Sequence, residues 1–167
     1  MKHGSKKKKK DEKHSLLFNS LVTGFIGGLF WSAIWSIAYY FNFTEVTPRF
    51  YLLNVWIESP WTDSWIGVIA AIFIAGVLSV PAALFYYLAA KRIYSMWAGV
   101  LYGIVLWVLL FILLHPLFPE TPTVMEMKAD TIFTTVGLFM LYGTFIGYSI
   151  SYDYYDLKLR QMETSKK

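Results

Sequence analysis

The side chains able to do chemistry fall into three sets. His115, Glu45, Glu58, Asp63, Glu120, Glu126 and Asp130 lie between long apolar runs, while Asp153 and Asp156, with Tyr152 and Tyr155, close the last run. Ser32, Ser36, Ser79, Thr134, Thr135 and Thr144 are scattered inside the runs. The first set has the residue types for acid–base work or a metal, but no pair has the spacing of a metalloprotease helix, a phosphate loop or a nucleophile elbow. His115 directly precedes Pro116 at the end of a run, a position suited to an interfacial cap. The hydroxyls could line a pore for an uncharged solute, yet a helical Ser or Thr is satisfied more simply by a carbonyl of its own preceding turn. Cysteine is absent, which removes disulfides, iron–sulfur clusters, thiolate zinc sites and cysteine nucleophiles. No cofactor and no enzyme activity are expected, with a membrane enzyme working near His115 and a transporter or channel subunit for an uncharged solute as the alternatives.

The elements that carry these residues are apolar rods. The chain is 56% hydrophobic and 19% aromatic, above the roughly 45–50% apolar content of soluble domains. The central run, Tyr94 to Leu114, has no charged residue across a length that rises about 30 Å as a helix, the thickness of a bilayer's hydrocarbon core. Three further runs read the same way, which predicts spans over about 16–41, 62–90, 93–114 and 131–152. The first is too long for the apolar region of a cleaved signal peptide. Lys91 and Arg92 leave room only for a tight hairpin between the second and third spans, and Pro81 predicts a kink inside the second.

Three Ser/Thr–Pro pairs read as helix starts. Thr47–Pro48 opens a short helix lying at the outer interface or over the mouth of the bundle, Ser59–Pro60 opens the second span with Asp63 in its first turn, and Thr121–Pro122 opens the last helix. Residues 1–14 lack the apolar surface to offset ordering and are expected to form a disordered basic tail, with a polar tail at 157–167.

Each span carries small residues on one face. Gly24 and Gly28, Gly99 and Gly103, and Gly143 and Gly147 are pairs four apart, and Gly67, Ala71 and Ala75 form a stripe. Such faces let helix backbones approach closely, and these nine residues are the expected helix-packing positions, either inside the bundle or against another membrane protein or a second copy of the chain.

Basic residues set the orientation. With the N-terminus in the cytoplasm, 13 of the 15 Lys and Arg fall on inner segments, leaving Arg49 and Lys128 outside with Glu45, Glu58, Asp63, Glu120, Glu126 and Asp130. Lys6, Lys7, Lys8, Lys9 and Lys10, with Lys91 and Arg92, are then candidates for anionic lipid head groups. Nothing in this pattern points to nucleic acid, because no aromatic–basic surface on a soluble fold stands behind the lysines.

The strings PAALFYYLAAKRIYSMWAGVLYGIVLWVLLF (Pro81 to Phe111) and GLFWSAIW (Gly28 to Trp35), with four crossings and a lysine-rich start, resemble the YqhR family of conserved membrane proteins from Bacillus and relatives. The resemblance implies an integral protein of a Gram-positive plasma membrane and transfers no catalytic or ligand residue. The reading is an all-α, integral membrane four-helix bundle with both termini cytoplasmic, in contact with the lipid bilayer and acting as an interaction or accessory component.

Overall fold

The computed structural model describes residues 2–54, 57, 59–93, 95–118 and 121–165, and every regular element among them is helical. Four long helices carry the fold: α1 (Lys2–Tyr40), α2 (Trp65–Ala89), α3 (Met96–Val108) and α4 (Ala129–Ser165). A π-helical stretch, Leu109–Leu113, prolongs α3, so that Met96–Leu113 forms one apolar rod of 18 residues. At about 1.5 Å per residue this shortest rod reaches roughly 27 Å, enough for the hydrocarbon layer. His14–Tyr40, Trp65–Ala89 and Ala129–Met162 are longer and also apolar enough to cross a membrane.

Several boundaries differ from the sequence expectation. α1 starts at Lys2, so the segment expected to lack structure is helical backbone. Lys and Glu favour helix, and residues added to an existing helix gain hydrogen bonds without a new nucleus. α2 starts after Ser64 rather than at Ser59–Pro60, because the Ser64 hydroxyl accepts from the Ile66 amide while residues 60–63 form turns. Asp63 therefore precedes the cap. α4 starts at Ala129, since residues 124–126 form a turn, with the Glu126 carboxylate accepting from the Thr123 amide at 2.9 Å. Thr47 does cap: its hydroxyl accepts from the Phe50 amide at 3.1 Å, ahead of a short π-helical turn, Phe50–Asn54. Pro81 stays within an unbroken α2.

α1 ends in a Schellman closure. The Phe43 amide reaches back to the Ala38 carbonyl and the Asn42 amide to Tyr39, with Asn42 at φ 60°, a left-handed conformation that asparagine tolerates.

The helices stand in the order α2, α1, α4, α3. α1 packs along α2 and α4, and α3 packs along α4, whereas α2 and α3 diverge although only a short turn joins them. Two cores result. At the end of that turn Leu16, Tyr86, Tyr102, Tyr142, Ile146 and Ile150 are buried together. At the opposite, loop end Trp35, Tyr51, Trp107, Phe111 and Phe118 pack ring against ring, capped by Val46 and Met127. Outward, residues such as Phe18, Phe73, Phe85 and Phe133 are each more than half exposed, an apolar surface too extensive for a monomer in water.

Candidate functional site

The glycine pairs seat helix against helix inside this single chain. A methyl group built on Gly24 would lie 2.5 Å from the Ala83 side chain, and one on Gly28 would meet Ser79, Gly76 and the Ala75 carbonyl, so this pair seats α1 on α2. Gly99 and Gly103 face the α4 backbone at Gly143, Thr144, Phe139 and Met140, and Gly147 faces Gly99 and the Tyr86 hydroxyl. Ala71 is buried as well. Gly67 is the exception: its nearest neighbour is the backbone of Thr62 in the turn before its own helix, which allows that turn to fold tightly over the helix start. Gly27, not among the expected positions, faces Phe145 and Ile146 of α4. These contacts use the small-residue faces to build two close pairs, α1 with α2 and α3 with α4.

Most hydroxyls within the rods are satisfied locally. Ser20, Ser36, Thr135 and Thr144 each donate to the carbonyl four residues back, and Ser32 donates to Leu29 at 3.2 Å. Thr135 also accepts from the Trp107 indole at 3.0 Å. Ser79 behaves differently, because its hydroxyl pairs with that of Tyr142 across from α2 to α4. The Tyr86 and Ser151 hydroxyls lie 3.4 Å apart, and Tyr102 donates to the Ala82 carbonyl at 2.5 Å. Tyr86, Tyr102 and Tyr142, buried phenols within uncharged runs, escaped the sequence reading, which gave weight only to tyrosines at run ends. Their signal was a hydroxyl too deep to reach water.

The charged groups sit at the two ends. Glu45 and Lys128 form an ion pair at the loop end, the Glu45 carboxylate accepts from the Lys128 amide, and the Glu45 amide donates to Thr131 at 3.0 Å. The hydrogen bond from Lys128 holds the Glu45 carboxyl below its ordinary range, and the Thr123 amide does the same for Glu126. His115 Nε2 lies 3.2 Å from the Thr121 carbonyl. Among the described residues no three His, Asp or Glu side chains gather as a metal set, and Glu58 and Glu120 lie outside them. At the other end Lys91 stands over the Tyr87 ring, the Arg92 carbonyl accepts from Tyr155, and Asp156 pairs with Arg160 at 2.9 Å. Lys6 to Lys10 continue α1 beyond this end.

The divergence of α2 from α3 leaves a lateral cleft of about 550 Å³. Leu78, Pro81, Ala82 and Phe85 form its α2 wall, and Val105, Leu106 and Leu109 form its α3 wall. Trp31 and Trp35 of α1 and Phe139 and Tyr142 of α4 make the floor, while Pro48, Tyr51 and Leu52 crown the loop end. Tyr102, bonded to Ala82 and edge-on to Tyr86, closes the turn end. Pro81 has no amide hydrogen, so the Val77 carbonyl one turn earlier loses its helical donor. Two polar atoms of the lining side chains, Trp31 Nε1 and the Tyr51 hydroxyl, are buried without a well-formed hydrogen bond. Burial pushes the Tyr51 phenol up to about 12, against a weaker opposing pull from Thr121.

Four apolar rods with mid-depth polar groups that are neutral and mostly paired, and with charges confined to the ends, define an integral membrane helix bundle. A family profile described as "Conserved membrane protein YqhR" matches residues 1–165, and the chain belongs to that family. Among curated proteins it is similar to "Uncharacterized protein YqhR" of Bacillus subtilis (strain 168), 43% identical over 141 residues that cover 84% of this chain and 79% of the relative. No solved structure matches the chain. The resemblance read from Pro81 to Phe111 and Gly28 to Trp35 is thereby borne out.

Proposed function

We propose that this protein is an accessory component of the bacterial plasma membrane, with both termini in the cytoplasm, that works by holding a neighbour in the cleft between α2 and α3. The observation that carries this reading is the cleft itself: the glycine pairs of α1, α3 and α4 already face helices of the same chain, and this opening is a concave apolar surface toward the surrounding layer. The basic residues clustered at the Lys91 end favour that end as the cytoplasmic one. A continuous polar path, which a pore for uncharged solutes requires, has no support in the cleft, where Ser32, Ser79 and Tyr142 are already bonded within the protein. Catalysis is not part of the proposal: His115 rests against a main-chain carbonyl, and Glu45 and Glu126 are engaged in local hydrogen bonds.

Site-specific photocrosslinking tests it. A photoreactive side chain at Leu78, on the cleft wall, should give a discrete adduct in native membranes that the same group at Phe133, exposed on α4, does not give. Equal labelling from both positions would remove the cleft as a binding surface. Reporter fusions at the C-terminus and within the Lys91–Arg92 turn test the orientation separately.

A further inference from the structure

We infer that the occupant of the cleft is one acyl chain of an anionic phospholipid, with its phosphate against Arg49. The inference rests on the reading of the cleft as a binding surface and names what fills it. Size separates the candidates. A spanning helix is a cylinder about 10 Å wide and 30 Å long, and it needs an open bed along that whole length. The bond from Tyr102 to Ala82 and the Tyr86–Tyr102 ring contact also tie α2 to α3 at the turn end, so a helix of another chain cannot pass between them. A single hydrocarbon chain needs no such passage. It enters sideways from the bilayer and lies along the slot.

The chemistry of the walls agrees. Along most of its length the slot offers aliphatic and aromatic surface, and the hydroxyls of Ser32, Ser79 and Tyr142 have partners in the protein, so methylene groups can fill it without breaking those bonds. The polarity changes at the loop end. There Pro48 and Leu52 line the mouth, and Arg49, next to Pro48 in sequence and outside the lining itself, turns its guanidinium to Asp63 with its side chain 23% exposed. One guanidinium nitrogen donates to the Asp63 carbonyl at 2.8 Å and the other is 3.7 Å from the Asp63 carboxylate, an arrangement that uses only part of a five-donor fork. The remaining donors suit a phosphate, which arginine binds through paired hydrogen bonds. Lys128, the other basic residue at this end, is held by Glu45. Just below a lipid phosphate comes an ester carbonyl, the kind of acceptor that the buried Tyr51 hydroxyl on the same wall lacks.

The test uses the full chain in phosphatidylcholine vesicles that contain either phosphatidylglycerol or phosphatidylcholine brominated midway along one acyl chain. Bromine quenches indole fluorescence on contact, and at that depth it lies away from the exposed Trp61, Trp65 and Trp97 near the rod ends and out of contact with the buried Trp107. Brominated phosphatidylglycerol should quench the floor residues Trp31 and Trp35 at about fivefold lower mole fraction than brominated phosphatidylcholine, the advantage of one basic residue near the membrane surface. Arg49→Gln should erase that preference, and Ala82→Phe, which fills the slot, should remove the quenching from both lipids. Leu78→Phe at the more exposed rim serves the same purpose should Ala82→Phe fail to fold. Equal quenching by both lipids, or quenching unchanged in a folded slot-filling variant, overturns the inference. A protein adduct at Leu78 with no bromine quenching sinks the acyl chain and leaves the cleft reading standing, whereas the same lipid labelling at Leu78 and Phe133 together with equal quenching by both lipids sinks both.

Discussion

The Tyr102 hydroxyl of α3 donates to the Ala82 carbonyl of α2 at 2.5 Å, one turn from the Tyr86 ring that packs edge-on against Tyr102. These contacts hold together two helices that otherwise diverge, so they set where the cleft ends. Tyr102→Phe keeps the ring contact and removes the hydrogen bond, which should lower stability by about 0.5–1.5 kcal/mol. Spin labels at the exposed Phe85 and Leu101 should show a broader or longer α2–α3 distance in the variant. An unchanged distance distribution would mean that the hydroxyl does not hold the helices together.

Gly103 and Gly137 make opposite predictions for the same substitution. At Gly103 an added methyl group would collide with the Phe139 carbonyl of α4, a backbone group that cannot rotate aside, while at Gly137 it meets nothing within 4 Å. Gly103→Ala should cost about 1–3 kcal/mol through overpacking, and Gly137→Ala should be neutral or stabilise by up to about 1 kcal/mol through helix propensity. Thermal unfolding in detergent separates them. Because Gly103 contacts the same chain, its substitution should shift the unfolding midpoint without changing the oligomer size seen by light scattering.

The rods and their small-residue faces were legible because both are local: an uncharged run has a length, and glycines four apart share a helix face whatever surrounds them. Which face meets which was not legible. Gly28 could equally have faced Gly103 or Gly143, and only the observed order, with α1 beside α2 and α4 beside α3, leaves α2 and α3 apart. The cleft therefore follows from a tertiary choice that no stretch of sequence encodes alone. Helix starts failed for a related reason. Ser59–Pro60 and Thr121–Pro122 are compatible with a cap, but the same pairs also suit turns, and Arg49, reaching the Asp63 carbonyl from another segment, helps fix the first of them. Thr47–Pro48 succeeded because nothing distant competes for the Thr47 hydroxyl, which bonds within its own turn.

The Glu45–Lys128 pair ties the loop after α1 to the start of α4, and its pH dependence has a definite sign. Lys128 holds the folded-state pKa of Glu45 below the ordinary 4.5. The stabilisation is therefore fully present above that ordinary value and is lost as the pH falls through the lowered one. Lys128 is shifted upward by the same partner, so its contribution persists below its ordinary 10.5 and disappears only as the pH rises through the raised value. The unfolding midpoint of the parent should thus be flat in this respect around neutrality and fall at acid pH, and Lys128→Met should flatten part of the acid limb. Both groups are exposed, so salt should shrink the difference between parent and variant.

Ser79 and Tyr142 should respond unequally to losing each other. Their hydroxyls are paired in the buried middle of the bundle, between α2 and α4. Ser79→Ala strands the Tyr142 hydroxyl, whose ring is fixed by its neighbours and has no carbonyl of its own turn within reach, so the desolvation penalty of about 1–3 kcal/mol should appear in full. Tyr142→Phe leaves a serine that can rotate and donate to the carbonyl a turn back on α2, as Ser20 and Ser36 do on α1, and should cost less. The double variant Ser79→Ala/Tyr142→Phe leaves neither group orphaned and should be more stable than Ser79→Ala alone. A double-mutant cycle by thermal unfolding in one detergent measures all three. Equal losses in the two single variants that add in the double would show that the two hydroxyls are not coupled, and that the α2–α4 contact beneath the cleft depends on packing alone.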